Sequence, residues 1–165
     1  MASLKNEIIG TWKLLSYIEI PVGGEEYMFP LGTKPQGTII FSPDGFMSVQ
    51  ISVQNAEKYD NEDRYSVSDD KLAARSKRYI AFSGKYSIDN ALSCVTYHID
   101  ISLNPNWEGA KQIRKMDFEA DIMYQKSLEP IYSAGQYVHP YMTWQKMDKH
   151  QVNEEELDSE IGEII

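Results

Sequence analysis

Cysteine is almost absent from this chain. The one thiol, Cys94, has no partner for an internal disulfide and cannot build a thiolate zinc site; mid-strand, it reads as inert. Histidine is nearly as scarce: His98, His139 and His150 show no short metal-ligand spacing, so no metal is expected. No Gly-x-Ser-x-Gly elbow, phosphate-cradling loop or dinucleotide fingerprint occurs, and no cofactor is expected. Long apolar runs are also missing. The opening MASLKNEIIG lacks the apolar core of a signal peptide and no stretch is long enough to span a bilayer, which points to the cytoplasm.

Positive charge is the remaining deficit, and its location matters more than its size. The formal charge is −9, from 25 acids and 16 bases. Six of those acids (Glu154, Glu155, Glu156, Asp158, Glu160 and Glu163) lie within 150–165, where there is no Lys or Arg, leaving 19 acids against 16 bases before them. The body is therefore nearly balanced and carries no basic stripe, which argues against nucleic acid and anionic membranes as partners. The expected division is a barrel domain over 1–149 and an acidic tail over 150–165. In the tail, Leu157, Ile161, Ile164 and Ile165 recur at roughly helical spacing. They fit either a frayed terminus or a helix docked on the barrel or on a second subunit, so a homodimer stays open.

What the chain does have is aromatic residues and alternation. With 165 residues, 42% of them hydrophobic, one domain can bury an adequate core, and 11 Tyr, 5 Phe and 3 Trp favour strands or rigid cavity walls. Residues 8–20 place Trp12, Leu14, Ser16 and Ile18 on one face and Lys13, Tyr17 and Glu19 on the other. Val22-Gly23-Gly24 predicts a hairpin into a strand over 25–29. Strands are expected over 38–42 and 46–53, joined by the turn Pro43-Asp44-Gly45. Further strands are expected over 81–89, 92–103, 111–120, 122–128 and 136–147. The polar stretch 54–80 predicts a short helix, capped by Ser68 or Asp69, in a long connection across one mouth of the barrel, where it would gate access. Mainly short turns between about 8–10 strands indicate a mainly β, closed antiparallel barrel, with a sandwich as the alternative.

Several ordered segments resemble the lipocalin-like domain family. They are Ile9-Gly10-Thr11-Trp12-Lys13-Leu14, Pro30-Leu31-Gly32 with Pro35-Gln36-Gly37, Ser42-Pro43-Asp44-Gly45-Phe46-Met47-Ser48-Val49-Gln50, and Phe82-Ser83-Gly84-Lys85-Tyr86. The most distinctive is Asn104-Pro105-Asn106-Trp107-Glu108-Gly109, with Gln112 and Arg114 just beyond it. The resemblance spans 9–146 and implies a calycin-type cup that binds a ligand; it does not choose the ligand. It also implies that Trp12 plugs the closed end of the barrel with Lys146 crossing its ring, a structural role for both.

Candidate ligand-binding residues follow from strand faces. Over 111–120, Lys115, Asp117 and Glu119 should face water, which sends Gln112, Arg114, Met116 and Phe118 inward. A buried guanidinium needs an accepting partner: either an internal acid, with Asp100 or Glu108 as candidates, or a carboxylate or enolate oxygen of a ligand. On the preceding strand, Thr96, His98 and Asp100 oppose Val95, Tyr97 and Ile99. The resemblance places a histidine ahead of the Asn-Pro-Asn-Trp turn, which favours His98 in the lumen, as a hydrogen-bond partner or general base. Trp107 is a candidate stacking group at the mouth, and Tyr86, Tyr97, Tyr124, Tyr137 and Tyr141 read as wall residues. Three functions remain open. The favoured one is non-catalytic binding of a small, partly apolar molecule, neutral or anionic. The others are an isomerase, cyclase or dehydratase using His98 and Arg114, and a scaffold acting through its acidic tail.

Overall fold

The structure, a computed structural model, describes residues 3–24 and 26–147. Nine strands follow one another: β1 (Gly10–Pro21), β2 (Gln36–Phe41), β3 (Phe46–Ser52), β4 (Tyr79–Asp89), β5 (Cys94–Ser102), β6 (Lys111–Glu119), β7 (Ile122–Ser127), β8 (Ile131–Ser133) and β9 (Gln136–Lys146). Each pairs antiparallel with its neighbour from β1 to β7. β9 pairs with β7 on one side and with β1 on the other, from Trp12↔Lys146 to Pro21↔Val138. That last pairing closes the ring, so eight strands form a barrel without a free edge, and β8 adds a short hairpin strand to β9. The tail's spaced apolar residues, and any docked helix they would form, lie outside the described residues.

Helix α1 (Leu4–Ile8), which the sequence reading does not anticipate, seals one end. Ser3 caps it, Leu4 and Ile8 are buried, and Trp12 Nε1 donates to the Ile8 carbonyl at 2.8 Å. Helix α2 (Asp69–Lys77) lies in the 54–80 connection as expected, with Ser68 accepting from Lys71 N and acids leading bases along its length. Of the strand expected over 25–29, the described residues 26–29 form none; their one ladder contact is the isolated bridge Glu19↔Met28.

Alternation sets the core, and two bulges redirect it. Ile39 and Phe41, Met47, Val49 and Ile51, Phe82 and Tyr86, and Val95, Tyr97 and Ile99 all turn inward. On β1, however, Leu14 faces Trp144 and Ser16 faces Thr143, leaving Leu15 as an extra residue that is 41% exposed. One added residue exchanges the two faces of a strand. Trp12 and Leu14 are buried as expected, but beyond the bulge it is Tyr17 and Glu19 that turn in, which corrects the face predicted for them. On β5 the pairing skips Asp100 between Gly84↔Ile99 and Ser83↔Ile101, so Ile101 emerges 65% exposed although it continues the apolar series. Gly84 makes this second bulge possible, since a Cβ there would stand 1.9 Å from the His98 carbonyl oxygen.

Candidate functional site

The barrel interior is lopsided. The wall formed by β2, β3 and β4 presents only apolar and aromatic side chains to the lumen, among them Ile39, Val49, Ile51 and Phe82. The polar groups come from β5, β6, β7 and β1: Tyr97, Gln112 and Arg114, Gln125, and Tyr17. β9 completes that side with Pro140, Met142 and Trp144. The rim is formed by half-buried Trp107, Ile80 and Ile131, with Trp107 set edge-to-face on Phe82 at 6.0 Å. Between these side chains the cavity measures about 30 Å³. That is room for a water or two, so a larger guest enters only if rim side chains move aside.

Arg114 is the central group. It is only 6% exposed, and no carboxylate among the described residues lies within ion-pair distance of it. Neither internal acid proposed as its partner reaches it: Asp100 is exposed, and Glu108 accepts from Ser102 N at 3.3 Å in the turn. Arg114 Nη2 donates to Gln112 Oε1 at 2.6 Å, while Nη1 is 3.5 Å from Ser127 Oγ and from the Ile113 carbonyl, the outer limit of a hydrogen bond. Nε has no partner, and the guanidinium lies over the Tyr97 ring at 5.6 Å. Burial pulls its pKa below the ordinary arginine value, opposed by the Tyr97 and Tyr17 hydroxyls.

Around it run two hydrogen-bond chains. Trp144 Nε1 donates to Gln125 Oε1 at 3.0 Å, and Gln125 Nε2 donates to the Tyr97 hydroxyl oxygen at 2.8 Å. The indole can only donate, which fixes the amide's orientation and leaves the Tyr97 hydroxyl hydrogen for another acceptor. In the second chain, Tyr17 donates to Glu19 Oε2 at 2.9 Å and Ser133 of β8 donates to Oε1 at 2.7 Å. Glu19 is 4% exposed and has no cation in contact among the described residues. Burial raises the Tyr17 pKa well above the usual phenol value, helped by the Glu19 charge and hydrogen bond; Arg114 opposes this. Burial raises that of Tyr97 as well.

The other expected site residues fall in different places. Gln112 lines the lumen beside Arg114, and Trp107 stands at its mouth. Met116 and Phe118 point inward, but β6 runs from rim to floor and they lie below the cavity, with Phe118 6.0 Å from the Trp12 ring. Trp12 occupies the floor, with Lys146 Nζ 5.2 Å from its ring. The lumen placement of His98 is corrected. Val95, Tyr97 and Ile99 fill the inside of β5, and His98 sits on the outer surface, where its Nε2 and Ser87 Oγ are 3.2 Å apart. His98 and Arg114 therefore do not face one cavity, and the acid–base arrangement suggested for them is not formed. Nor does the 54–80 connection cover the lumen, since of that stretch only Ile80 lines it.

Gln125 is an interior polar residue that the sequence reading misses, and so, beyond the β1 bulge, are Tyr17 and Glu19. For the latter two the available signal is the Leu14-Leu15 doublet, where two consecutive apolar residues break the alternation. A larger groove of about 740 Å³ lies outside the barrel, over β1 to β3 and beside α2. It is open to solvent, and its arginine, Arg75, rests on the Tyr79 ring at 4.7 Å. Converging buried polar groups place the candidate site in the lumen instead. No helix among the described residues is long and apolar enough to cross a membrane.

Comparison with known proteins agrees with the barrel. Residues 9–147 match the model of the lipocalin-like domain. The 4'-hydroxy-3'-methoxypropiophenone carrier protein ppsC of Aspergillus oryzae is 25% identical over 109 residues, covering 62% of this chain and 98% of that protein.

Proposed function

The chain belongs to the lipocalin-like domain family, and from that premise we propose that its barrel binds a small, largely apolar molecule whose carbonyl or anionic oxygen rests on Arg114. The observation that carries this reading is the buried guanidinium with an unpartnered Nε and no carboxylate beside it. Burying a cation costs several kcal/mol unless an acceptor completes its shell. The Tyr97 hydroxyl, on the same side of the lumen, supplies a second donor. The apolar wall opposite gives a flat guest its affinity. A ring burying ~200 Å² gains about 5 kcal/mol at ~25 cal/mol per Å². Charge-assisted hydrogen bonds add about 1.5–3 kcal/mol, and ordering costs offset part of the sum, which leaves binding weaker than micromolar, in the range from about tens of micromolar to millimolar.

The relative's named ligand, an aryl ketone with a hydroxyl and a methoxy group, has this chemistry: one ring, one carbonyl, small polar substituents. Trp144 and Trp107 line the lumen, so their fluorescence reports occupancy. Titration with 4'-hydroxy-3'-methoxypropiophenone should quench it saturably, and native mass spectrometry should show one molecule per chain. If neither that ketone nor simple aryl carboxylates saturate the protein at millimolar concentration, the binding reading fails.

A further inference from the structure

Beside Arg114 and Tyr97, the polar side of the lumen carries a further hydrogen-bonded pair, Tyr17 and Glu19. Glu19 is a buried carboxylate whose partners are two hydroxyls, those of Tyr17 and Ser133. Its position is set by the bulge at Leu15, without which both Tyr17 and Glu19 would face water. Glu19 itself does not line the cavity, but Tyr17 does. A tyrosine hydroxyl has one hydrogen to give, and here the carboxylate takes it. Any further hydrogen bond at the Tyr17 oxygen is therefore one it accepts, and the negative charge of Glu19 strengthens that acceptor. The raised pKa of Tyr17 agrees with a phenol that keeps its proton and points it at Glu19.

We propose that Tyr17, held by Glu19, is a specificity-determining acceptor that selects ligands carrying a hydroxyl group. The polar side of the lumen then carries groups of opposite character. Arg114 and Tyr97 donate, to a carbonyl or anionic oxygen; Tyr17 accepts, from a phenol or alcohol. The ligand class that satisfies both is a hydroxylated aryl ketone or hydroxylated aryl acid. A guest bearing an ether in place of the hydroxyl sets one lone pair against another at Tyr17 and leaves the acceptor unpaired, which is how a polar site rejects a near-isostere. Ser133 orients Glu19 from β8 and does not touch the guest.

This inference rests on the binding reading, and three ketones separate the two: propiophenone, 4'-hydroxypropiophenone and 4'-methoxypropiophenone, titrated by tryptophan fluorescence. The wild-type protein should bind the hydroxylated ketone about five- to tenfold more tightly than either of the others. Tyr17→Phe keeps the ring and should erase that preference, so that the three ketones bind within about twofold of one another. Glu19→Gln should shift the preference toward the methoxy ketone, because a donating amide turns the Tyr17 hydrogen into the lumen. Equal binding of all three ketones by the wild-type protein overturns the inference, and so does a preference that survives Tyr17→Phe. The wild-type series decides the matter even if a variant fails to fold. Should propiophenone and its relatives not bind at all, the binding reading falls first and takes this one with it.

Discussion

Replacing Arg114 by methionine separates a ligand anchor from a structural residue, because the two roles predict opposite signs. Desolvating the guanidinium costs several kcal/mol. Against this stand one charge-assisted hydrogen bond to Gln112, of about 1.5–3 kcal/mol, and a cation–π contact with Tyr97, of about 0.5–2 kcal/mol. The contacts to Ser127 and Ile113 at 3.5 Å add little. The offsets roughly match the cost, so the ligand-free barrel gains almost nothing from this charge. Methionine keeps most of the apolar stem, and half-exposed Gln112 can turn its carbonyl to water. Arg114→Met should therefore leave stability unchanged or raise it by about 1–3 kcal/mol, a Tm increase of up to about 10 °C in a domain of this size. Aryl ketone affinity should fall at least tenfold. Urea denaturation and fluorescence titration on the same samples read both quantities. A loss of about 3–5 kcal/mol would mean that Arg114 holds the barrel together, and undiminished binding would mean that it anchors nothing.

Alkaline stability tests the buried phenols. Tyr17 and Tyr97 both have pKa values raised above the ordinary 10.0, chiefly by burial. Below about pH 10 both the folded and unfolded chains keep these protons, and stability is flat. Above it the unfolded chain releases protons that the folded chain retains, so stability falls with a slope of up to about 1.4 kcal/mol per pH unit for each tyrosine. Urea midpoints between pH 8 and 11 should show this decline, and Tyr97→Phe should flatten it; an unchanged slope in that variant refutes the assignment. The bulge in β1 is tested by deletion. Leu15→Ala, at an exposed position, should fold and bind normally, whereas removal of Leu15 should abolish folding or binding because it sends Tyr17 and Glu19 outward.

The barrel was legible because most of its strands obey one rule from end to end. β6 alternates as its sequence says, and Gln112 and Arg114 therefore reach the lumen. The site was half legible because its remaining parts depend on where that rule is interrupted. Period-two reasoning carried through Leu15 puts Tyr17 and Glu19 on the wrong face, and neither a glycine nor a proline marks the spot. His98 differs from its expected place for another reason. The apolar run Val95, Tyr97, Ile99 implies that the polar side of β5 faces water, and the structure follows that run and not the resemblance. That run is itself misleading one step later, since the bulge at Asp100 turns Ile101 outward. Short pairing slips are decided by neighbouring strands, such as Gly84 yielding space to the His98 carbonyl, and a single strand's pattern does not contain them. Trp107 is legible at the rim, but β8 supplies Ile131 to the rim and Ser133 to Glu19 from a stretch that reads only as loop.

The small cavity sets a limit on what the barrel can hold. Its floor does not yield: Trp12 is buried, hydrogen-bonded to Ile8 and crossed by Lys146, and Met116 and Phe118 pack above it. Rim residues Trp107, Ile80 and Ile131 are only half buried and move at lower cost. A guest therefore enters from the rim, meets Arg114 two residues along β6 from Gln112, about 7 Å along the strand, and stops against Trp144. That depth takes one ring and a short substituent. A long-chain fatty acid carries the carboxylate that Arg114 would accept, but its apolar tail is far longer than the space above the floor. Palmitate should accordingly fail to displace a bound aryl ketone at concentrations where benzoate competes. Competition by palmitate at equal or lower concentration, abolished by Arg114→Met, would show that the floor opens and that the depth argument is wrong.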